Sequence, residues 1–377
     1  MIVQFIFNVS LFIVLYTYIG YPLLLLMLGK IMHKKVNKQE ILPQVSILVS
    51  AFNEEKNIES KLLNYFELDY PNDKIEIIIG SDGSNDGTNK IIASYLSKGV
   101  VFRSFPHRRG KPSVLNDLVS IAKGDIIVFT DARQKIAKNA IRELVSNFFD
   151  HQVGCVSGEL IFMQEGSSDV GNAMGLYWNY EKSIRSLESS LGSMVGATGA
   201  LYAIRKKLYA VVPSNLLLDD VFIPLKVVGT GYRAVFDASA KVYDTVSQTC
   251  DQEYTRKIRT LAGNWQLLHM FLFLNNSFDK LFVWQLISHK FLRLLIPLLL
   301  FMLIVSNILL VSNYIFRIFA FIQFLFYFMV FVGYVLSKTR NTVSFLKFPY
   351  TFFLLNSAIL EGFIAFITKS QKVTWKK

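Results

Sequence analysis

The chain has 377 residues, of which 52% are hydrophobic and 32 are phenylalanine, a composition too apolar for a fully soluble protein. Its formal net charge of +12 would suit binding to nucleic acid. However, the sequence has no compact basic arm and no aromatic-basic pattern typical of a domain that recognises nucleic-acid bases. We therefore expect no nucleic-acid partner, and we expect one sizeable folded domain together with membrane segments.

The apolar residues are concentrated near the two ends of the sequence. Residues 1–29 carry no charge and lack the basic start and small-residue cleavage site of a signal peptide, so they predict a transmembrane helix. Residues 291–368 contain three further apolar segments, at 294–316, 318–337 and 348–368. Each is long enough to cross a bilayer core, which takes about 20 residues. The sequence therefore predicts a multi-pass membrane protein.

Basic residues flank these segments and predict their orientation. They are Lys30, Lys34, Lys35 and Lys38 after the first segment, and Lys290 and Arg293 before the second. This pattern indicates that residues 43–250 face the cytoplasm at a plasma membrane of bacterial type, in contact with anionic lipids. The same orientation would leave the basic tail, 369–377, outside, against the positive-inside tendency, so the side of the tail stays open. Glu361 either lines a product route or pairs with a polar group of the bundle.

After a basic linker at 30–42, short apolar strands alternate with amphipathic helices. The predicted strands are Val45–Ser50, Ile75–Ile79, Val100–Arg103, Ile126–Phe129, Val153–Ser157, Leu201–Ile204 and Tyr232–Phe236. The predicted helices are Glu54–Phe66, Asn89–Leu96, Pro112–Ala122, Ala140–Phe149 and Asp219–Val228. This alternation predicts an α/β domain over residues 43–250, with a mostly parallel, Rossmann-like sheet and right-handed crossovers.

Polar residues follow three of these strands where each strand ends. Asn53 and Glu54 follow the first strand, Asp82 the second, and Asp131 the strand at Ile126. Ordinary caps and turns explain each residue singly, whereas a shared crevice at the carboxyl ends explains all of them. The sequence has no dinucleotide fingerprint after the first strand and no Walker motif, which argues against dehydrogenases and phosphate-loop ATPases.

Three later stretches are candidates for further parts of a site. The loop with Gly196, Thr198 and Gly199 either approaches a ligand or simply enters a strand. Asp219 and Asp220 begin a helix, and burial beside another charge would raise the pKa of at least one of them, as suits a general base. Residues 251–290, which are basic and then apolar, predict amphipathic helices at a membrane surface or an orienting positive cluster.

Five motifs in this order resemble the membrane-integrated family 2 glycosyltransferases, similar to the synthases of poly-N-acetylglucosamine, hyaluronan and cellulose. The motifs are Val45–Glu55, Ser81–Thr88, Arg109–Asn116, Thr130–Ala132, and Asp219-Asp220 followed by Gly231–Arg233. The resemblance covers residues 43 to about 263. It implies a nucleotide-sugar transferase domain of GT-A type between membrane helices. It also implies inverting transfer from a nucleotide sugar, usually UDP-linked, to a growing cell-surface polysaccharide or glycolipid.

The resemblance also implies roles for individual residues. Ala51, Asn53, Glu54 and Asp82 would form the uridine pocket, Lys111 would lie near the nucleotide, and Asp131 would act near the diphosphate and a Mg²⁺ or Mn²⁺ ion. Asp220 would be the base that deprotonates the acceptor. The acceptor or gating residues would be Asp219, Gly196, Thr198, Gly199, Arg256 and Arg259.

Two departures from the family pattern leave alternatives open. Arg133 replaces the second acid of Asp-x-Asp, so metal dependence is open, and Arg133 itself can offset diphosphate charge. The tryptophan of Gln-x-x-Arg-Trp is absent near Arg259, so processive polymerisation is open too. The alternatives are a single-addition transferase with a lipid-linked acceptor and a non-catalytic membrane scaffold or export partner.

Overall fold

A computed structural model describes residues 1–163, 169–245, 250–272, 278–337, 344–371 and 373–374, with an eight-stranded sheet at its centre. The strands are β1 (Val45–Ala51), β2 (Ile75–Asp82), β3 (Val100–Phe105), β4 (Ile126–Thr130), β5 (Lys135–Ile136), β6 (Val153–Met163), β7 (Leu201–Arg205) and β8 (Arg233–Thr245). Their order is β3-β2-β1-β4-β7-β6-β8-β5. The predicted mostly parallel α/β sheet is confirmed.

Strand direction determines which loops reach the same edge of the sheet. β1, β2, β3 and β4 are parallel, so the residues that follow β1, β2 and β4 emerge together. β7 runs antiparallel between β4 and β6, with Thr130 opposite Leu201. The loop that precedes β7 therefore reaches the edge where β4 ends. This reversal brings a segment about 70 positions away along the chain to the predicted crevice.

Helices cover both faces of the sheet and form the membrane-facing part. They are α1 (Ile2–Leu15), α2 (Tyr21–Ile31), α3 (Ile58–Phe66), α4 (Thr88–Ala93), α5 (Lys111–Ile121), α6 (Ala140–Ser146), α7 (Asp169–Leu191), α8 (Asp219–Gly229), α9 (Cys250–Phe271), α10 (Lys280–Leu286), α11 (Leu292–Leu309), α12 (Tyr314–Ser337) and α13 (Ser344–Ile367). Along β1 the side chains alternate: Ile47 and Val49 enter one buried core, and Leu48 enters the other. A strand with both faces covered is apolar throughout, as the sequence of β1 is.

Four helical segments of the described chain are long and apolar enough to cross a membrane. They are Ile2–Ile31, Lys280–Leu309, Tyr314–Leu336 and Phe348–Ile367. The first joins α1 and α2 through a π-helical turn at Tyr16–Gly20, and the second joins α10, another π-helical turn and α11. The predicted boundary between interface helices and spans at residue 290 therefore falls inside one continuous helical segment. Large exposed apolar side chains on these segments fit contact with lipid.

The last helix returns the chain to the sheet domain. α13 packs closely along α9, since a Cβ at Gly362 would lie 2.8 Å from the Cβ of Leu261. Beyond it, the carbonyl of Val373 accepts a hydrogen bond from Arg259 at 3.0 Å. The tail therefore lies against α9. The sequence leaves the side of the tail open, and this contact favours the side of the sheet domain. Lys372, Lys376 and Lys377 lie outside the described residues.

Helix α7 is the main element that sequence periodicity did not predict. Its buried face carries Glu181 and Glu188, which are 4% and 0% exposed. Charged residues on a buried face hide the apolar stripe by which an amphipathic helix is recognised. The predicted strands also continue further than their apolar runs, so that β2 includes Asp82 and β8 extends to Thr245.

Candidate active site

A cavity of about 1680 Å³ opens at the edge of the sheet where β1, β2 and β4 end. One wall consists of these strand ends and the start of α5. The opposite wall consists of the loop before β7, the start of α8, and α9. The membrane-facing end lies among α1, α11, α12 and α13. The predicted crevice thus exists, and it continues from the sheet domain to the apolar helices.

Asp82 organises the wall at the end of β2. Its carboxylate accepts hydrogen bonds from the backbone N–H groups of Arg109 at 2.7 Å and Gly110 at 2.8 Å. Gly83 has a φ of +71°, and a Cβ there would lie 2.8 Å from the backbone nitrogen of Arg108. Glycine is therefore needed for this close approach of two loops. The guanidinium of Arg108 lies 3.6 Å from the centre of the Phe52 ring, forming a cation–π pair that lines the cavity.

Lys111 connects the two walls of the cavity. It begins α5, and its ammonium lies 2.9 Å from the carboxylate of Asp131 and 3.4 Å from that of Asp219. Burial lowers the pKa of Lys111, but these two carboxylates outweigh burial, so its pKa is raised above its ordinary value. The side chain therefore keeps its positive charge in the middle of the cavity.

Below Asp131 lies a second lysine that sequence reasoning missed. Lys61 of α3 is 2% exposed and donates hydrogen bonds to Thr130 at 3.0 Å and to the carbonyl of Gln134 at 2.6 Å. Burial lowers the pKa of Lys61 to about 7, although nearby Asp131 and Asp244 oppose that shift. Lys61 thus fixes both ends of the loop that carries Asp131. A polar residue in an otherwise ordinary helix gave no signal of this role.

Asp219 and Asp220, although adjacent in sequence, have different surroundings. Asp219 faces Lys111, and Tyr202 donates a hydrogen bond to it at 3.4 Å. One oxygen of Asp220 accepts a hydrogen bond from the Gly199 backbone N–H at 3.1 Å. Burial and the negative charge of Asp219 raise the pKa of Asp220 to about 6. A carboxylate with this pKa can accept a proton near neutral pH and release it again, as a general base must.

Arg133 has a partner that the motif comparison did not reveal. Its guanidinium lies 2.5 Å from the carboxylate of Asp244, which is 4% exposed and is also bonded by Gln134 at 3.1 Å. Asp244 is near the end of β8, 111 residues along the chain. The positive charge of Arg133 after β4 is therefore matched by the negative charge of Asp244 at the end of β8, a pairing that only the folded sheet shows.

Most of the residues predicted for the site line this one cavity. They are Glu54, Asp82, Lys111, Asp131, Arg133, Thr198, Gly199, Asp219, Asp220, Arg256 and Arg259. Ala51 and Asn53 are not among the lining residues, and their contact with the donor stays a prediction. Ala51 packs in the core beneath the site, and Asn53, with a φ of +52°, accepts a hydrogen bond from the N–H of Asn85 and so holds two loops together. Gly196 packs against Val221, one layer behind the cavity wall.

The fold agrees with comparisons to known proteins. The model of the family "Glycosyl transferase family 2" matches residues 46–211. The chain is 25% identical over 230 residues to poly-beta-1,6-N-acetyl-D-glucosamine synthase of Staphylococcus aureus, covering 59% of this chain and 55% of that protein. It is 26% identical over 252 residues to the probable glycosyltransferase YdaM of Bacillus subtilis, covering 61% of this chain and 57% of that protein. The matches thus span little more than half the length of these relatives.

A solved structure resembles nearly the whole chain. It is the mannosyltransferase PcManGT from Pyrobaculum calidifontis in complex with GDP-Man and Mn²⁺, with a TM-score of 0.75, 20% sequence identity, and coverage of 97% of this chain and 100% of that one. At this identity the likeness establishes the fold, including the helices on both sides of the sheet domain. Residues 46–211 thus match the family model, and the likeness shows a GT-A-like fold between apolar helices.

Proposed function

We propose that the protein is an inverting glycosyltransferase that moves a sugar from a nucleotide-sugar donor to an acceptor hydroxyl at a membrane. The observation that carries this proposal is the convergence of Asp82, Lys111, Asp131 and Asp220, from separate elements, in one cavity. The family match over residues 46–211 supports it. The proposed location is a bacterial plasma membrane, with several spans and the sheet domain on the cytoplasmic side, where nucleotide sugars are made.

The donor would lie along the strand ends. Its base would pack near Phe52 and Arg108, beside Asp82, because a phenyl ring and a planar guanidinium next to a carboxylate suit stacking and hydrogen bonding to a base. We propose a UDP-linked sugar, which the resemblance to polysaccharide synthases favours. Lys111 would lie against the diphosphate, whose negative charge grows as the sugar leaves. This arrangement would leave the sugar between Lys111 and Asp220.

A divalent metal fits beside Asp131. Its carboxylate side chain is 41% exposed towards the cavity, and Mg²⁺ is commonly held by one or two carboxylates together with phosphate oxygens. Such a metal would supply further positive charge for the departing diphosphate. Arg133 is a cation and cannot replace a metal-binding acid, and its charge is already balanced by Asp244. Asp131 is therefore the proposed protein ligand.

Asp220 would complete the reaction from the opposite wall. Its carboxylate would take the proton of the acceptor hydroxyl as that oxygen bonds to the anomeric carbon. The bond from that carbon to the diphosphate oxygen would break, and the nucleoside diphosphate would leave with the electron pair. Attack from the face opposite the leaving group inverts the anomeric configuration. The acceptor would be a growing cell-surface polysaccharide or a lipid-linked glycan.

Purified protein in detergent, offered a panel of radiolabelled nucleotide sugars that includes UDP-linked sugars and GDP-mannose, tests this proposal. We expect one donor to bind and to give labelled product with inverted configuration when membrane extract supplies the acceptor. The Asp220→Asn variant should bind that donor with unchanged affinity and give almost no product. Failure of every donor to bind would contradict the proposal and favour a scaffold with a vestigial fold.

A further inference from the structure

The membrane-facing end of the cavity carries a buried network of charged side chains. Glu181 of α7 forms an ion pair with Arg293, and its other oxygen lies 3.1 Å from a ring nitrogen of His289. The other ring nitrogen of His289 lies 2.7 Å from Glu188, which also accepts a hydrogen bond from Tyr21 at 2.5 Å. Both carboxylates are thus fully engaged with Arg293, His289 and Tyr21.

Two further cations line the same end of the cavity, Arg185 and Lys290. Both are half-buried, and neither makes a hydrogen bond or an ion pair with any residue in the part of the chain that the structure describes. Glu181 and Glu188 attract Lys290, whereas Arg185 and Arg293 repel it, so three cations face two carboxylates here and one positive charge is in excess. Holding cations together away from bulk water is costly unless an anion joins them. Their arrangement therefore favours a negatively charged ligand at this position.

The position of these cations relative to the base and to the apolar helices restricts the ligand further. Arg185 is close enough to Asp220 for its charge to oppose the rise in the pKa of that carboxyl. On the other side the cavity wall becomes apolar. The apolar side chains there are Val14, Leu15, Ile19, Phe326, Phe352 and Leu355, from α1, α12 and α13. Starting at Asp220, the cavity is therefore lined first by a carboxylate, then by cations and finally by apolar side chains.

We propose that the acceptor is a glycolipid whose sugar is joined to its lipid through phosphate. Its sugar hydroxyl would lie at Asp220, its phosphate between Arg185 and Lys290, and its lipid chain among α1, α12 and α13. This inference rests on the proposed glycosyl transfer and names its acceptor. The chemical step is the one proposed above. The proton of the acceptor hydroxyl goes to Asp220, the hydroxyl oxygen bonds to the donor sugar, and the nucleoside diphosphate leaves.

Two other acceptors fit the cavity less well. A neutral polysaccharide would give Arg185 and Lys290 no counter-charge and would place no hydrocarbon against the apolar wall. A free lipid phosphate would attack through an oxygen that is already ionised, so it would need no base with the environment of Asp220. The combination of base, cations and apolar wall is used in full only by a sugar, a phosphate and a lipid in that order.

The test compares three acceptors that share one polyprenyl chain: a phosphate-linked monosaccharide, the same monosaccharide linked directly to the alcohol, and the free polyprenyl phosphate. The full chain is placed in phosphatidylcholine nanodiscs with the nucleotide sugar found in the donor panel. We expect transfer to the phosphate-linked sugar, with a KM at least about tenfold below that of the phosphate-free glycolipid, from the loss of charged hydrogen bonds.

Variants of Arg185 and Lys290 test whether these two cations cause the preference for the phosphate-linked acceptor. Arg185→Gln and Lys290→Gln should each raise the KM for the phosphate-linked acceptor about tenfold and leave the Kd of the donor unchanged. Lys182→Gln is the matched control, since Lys182 lies on the same helix but is 42% exposed and pairs with Glu159 at 2.8 Å. We expect it to change neither constant.

Several results would overturn the inference. They are equal use of the phosphate-free glycolipid, preference for the free polyprenyl phosphate, transfer only to a soluble acidic or neutral polysaccharide, and an unchanged KM in both cation variants. Donor binding by isothermal titration separates these results from a failure of the proposed function. A wild-type protein that binds no donor contradicts glycosyl transfer itself, whereas donor binding without a preference for phosphate contradicts this inference alone.

Discussion

At the scale of single residues, Asp219 and Asp220 differ because different elements reach them. Lys111 compensates the charge of Asp219, whereas Asp220 meets a backbone N–H of the loop before β7. The sequence predicts that burial beside another charge raises the pKa of at least one of the two. Which one is affected depends on where α5 and that loop lie, and neither position can be inferred from the motif itself.

The raised pKa of Asp220, about 6, predicts the pH dependence of transfer. The base must be deprotonated, so kcat/KM should fall about tenfold for each pH unit below 6 and level off above it. Arg185→Gln should move this limb to higher pH, because the positive charge of Arg185 opposes the shift. Initial rates between pH 4.5 and 8, with donor affinity measured at each pH, check this. If kcat/KM begins to fall at the same pH in wild type and in Arg185→Gln, the assignment of Asp220 as the base is contradicted.

A second prediction concerns the ion pair between Arg133 and Asp244. Arg133→Ala leaves the nearly buried carboxylate of Asp244 without its cation, so we expect the free energy of unfolding to fall by about 1–3 kcal/mol. The double variant Arg133→Ala/Asp244→Asn should recover part of that loss, because no buried charge is then unpaired. Thermal unfolding in detergent measures both. Equal destabilisation of the single and double variants would show that the pair is not coupled.

At the scale of elements, α9 determines where the Asp219-Asp220 turn lies. A Cβ at Gly263 would be 2.5 Å from the Cγ of Leu218, the residue just before α8. The amphipathic pattern predicts α9 as a helix, but not that its basic residues Arg256 and Arg259 face the cavity rather than lipid head groups. A helix pattern identifies the buried face and not the partner on which it packs.

The close approach at Gly263 gives a prediction for this element. Gly263→Val should push α9 away from Leu218, lower the stability by about 1–3 kcal/mol and reduce kcat more than donor affinity. Gly192→Ala is the control, since nothing lies within 4 Å of a Cβ there. Thermal unfolding, kcat and donor Kd are the measurements. Unchanged kcat in Gly263→Val would mean that α9 does not position the base.

At the scale of the whole molecule, the apolar helices are part of the cavity and not only an anchor. The sequence predicts the long apolar helices well, because about 20 consecutive apolar residues make a helix long enough to cross a bilayer core. It does not predict the return of the tail, because that depends on the contact of α13 with α9. Glu361, which is costly in lipid, accepts a hydrogen bond from Tyr254 of α9 at 2.7 Å. The pairing interpretation of Glu361 is thus supported by a direct contact.

The return of the tail predicts which positions share a side of the membrane. In a background with Cys155 and Cys250 replaced by alanine, the variants Ser239→Cys, Ser312→Cys and Ser370→Cys place single thiols on the exposed sheet domain, the turn between α11 and α12, and the tail. An impermeant maleimide applied to intact cells should label Ser312→Cys only. In inverted vesicles the same reagent should label Ser239→Cys and Ser370→Cys but not Ser312→Cys. Labelling of the tail and the sheet domain from different sides would contradict the structure.

The central claim is that residues distant in sequence form one transfer site in which Asp220 is the base. Its most direct test is single-turnover transfer by wild type and Asp220→Asn at saturating donor, with donor Kd measured on the same preparations. We predict that the variant loses about 10²–10⁴-fold in rate while its donor Kd stays within about twofold of wild type. Transfer at the wild-type rate by Asp220→Asn would contradict the claim.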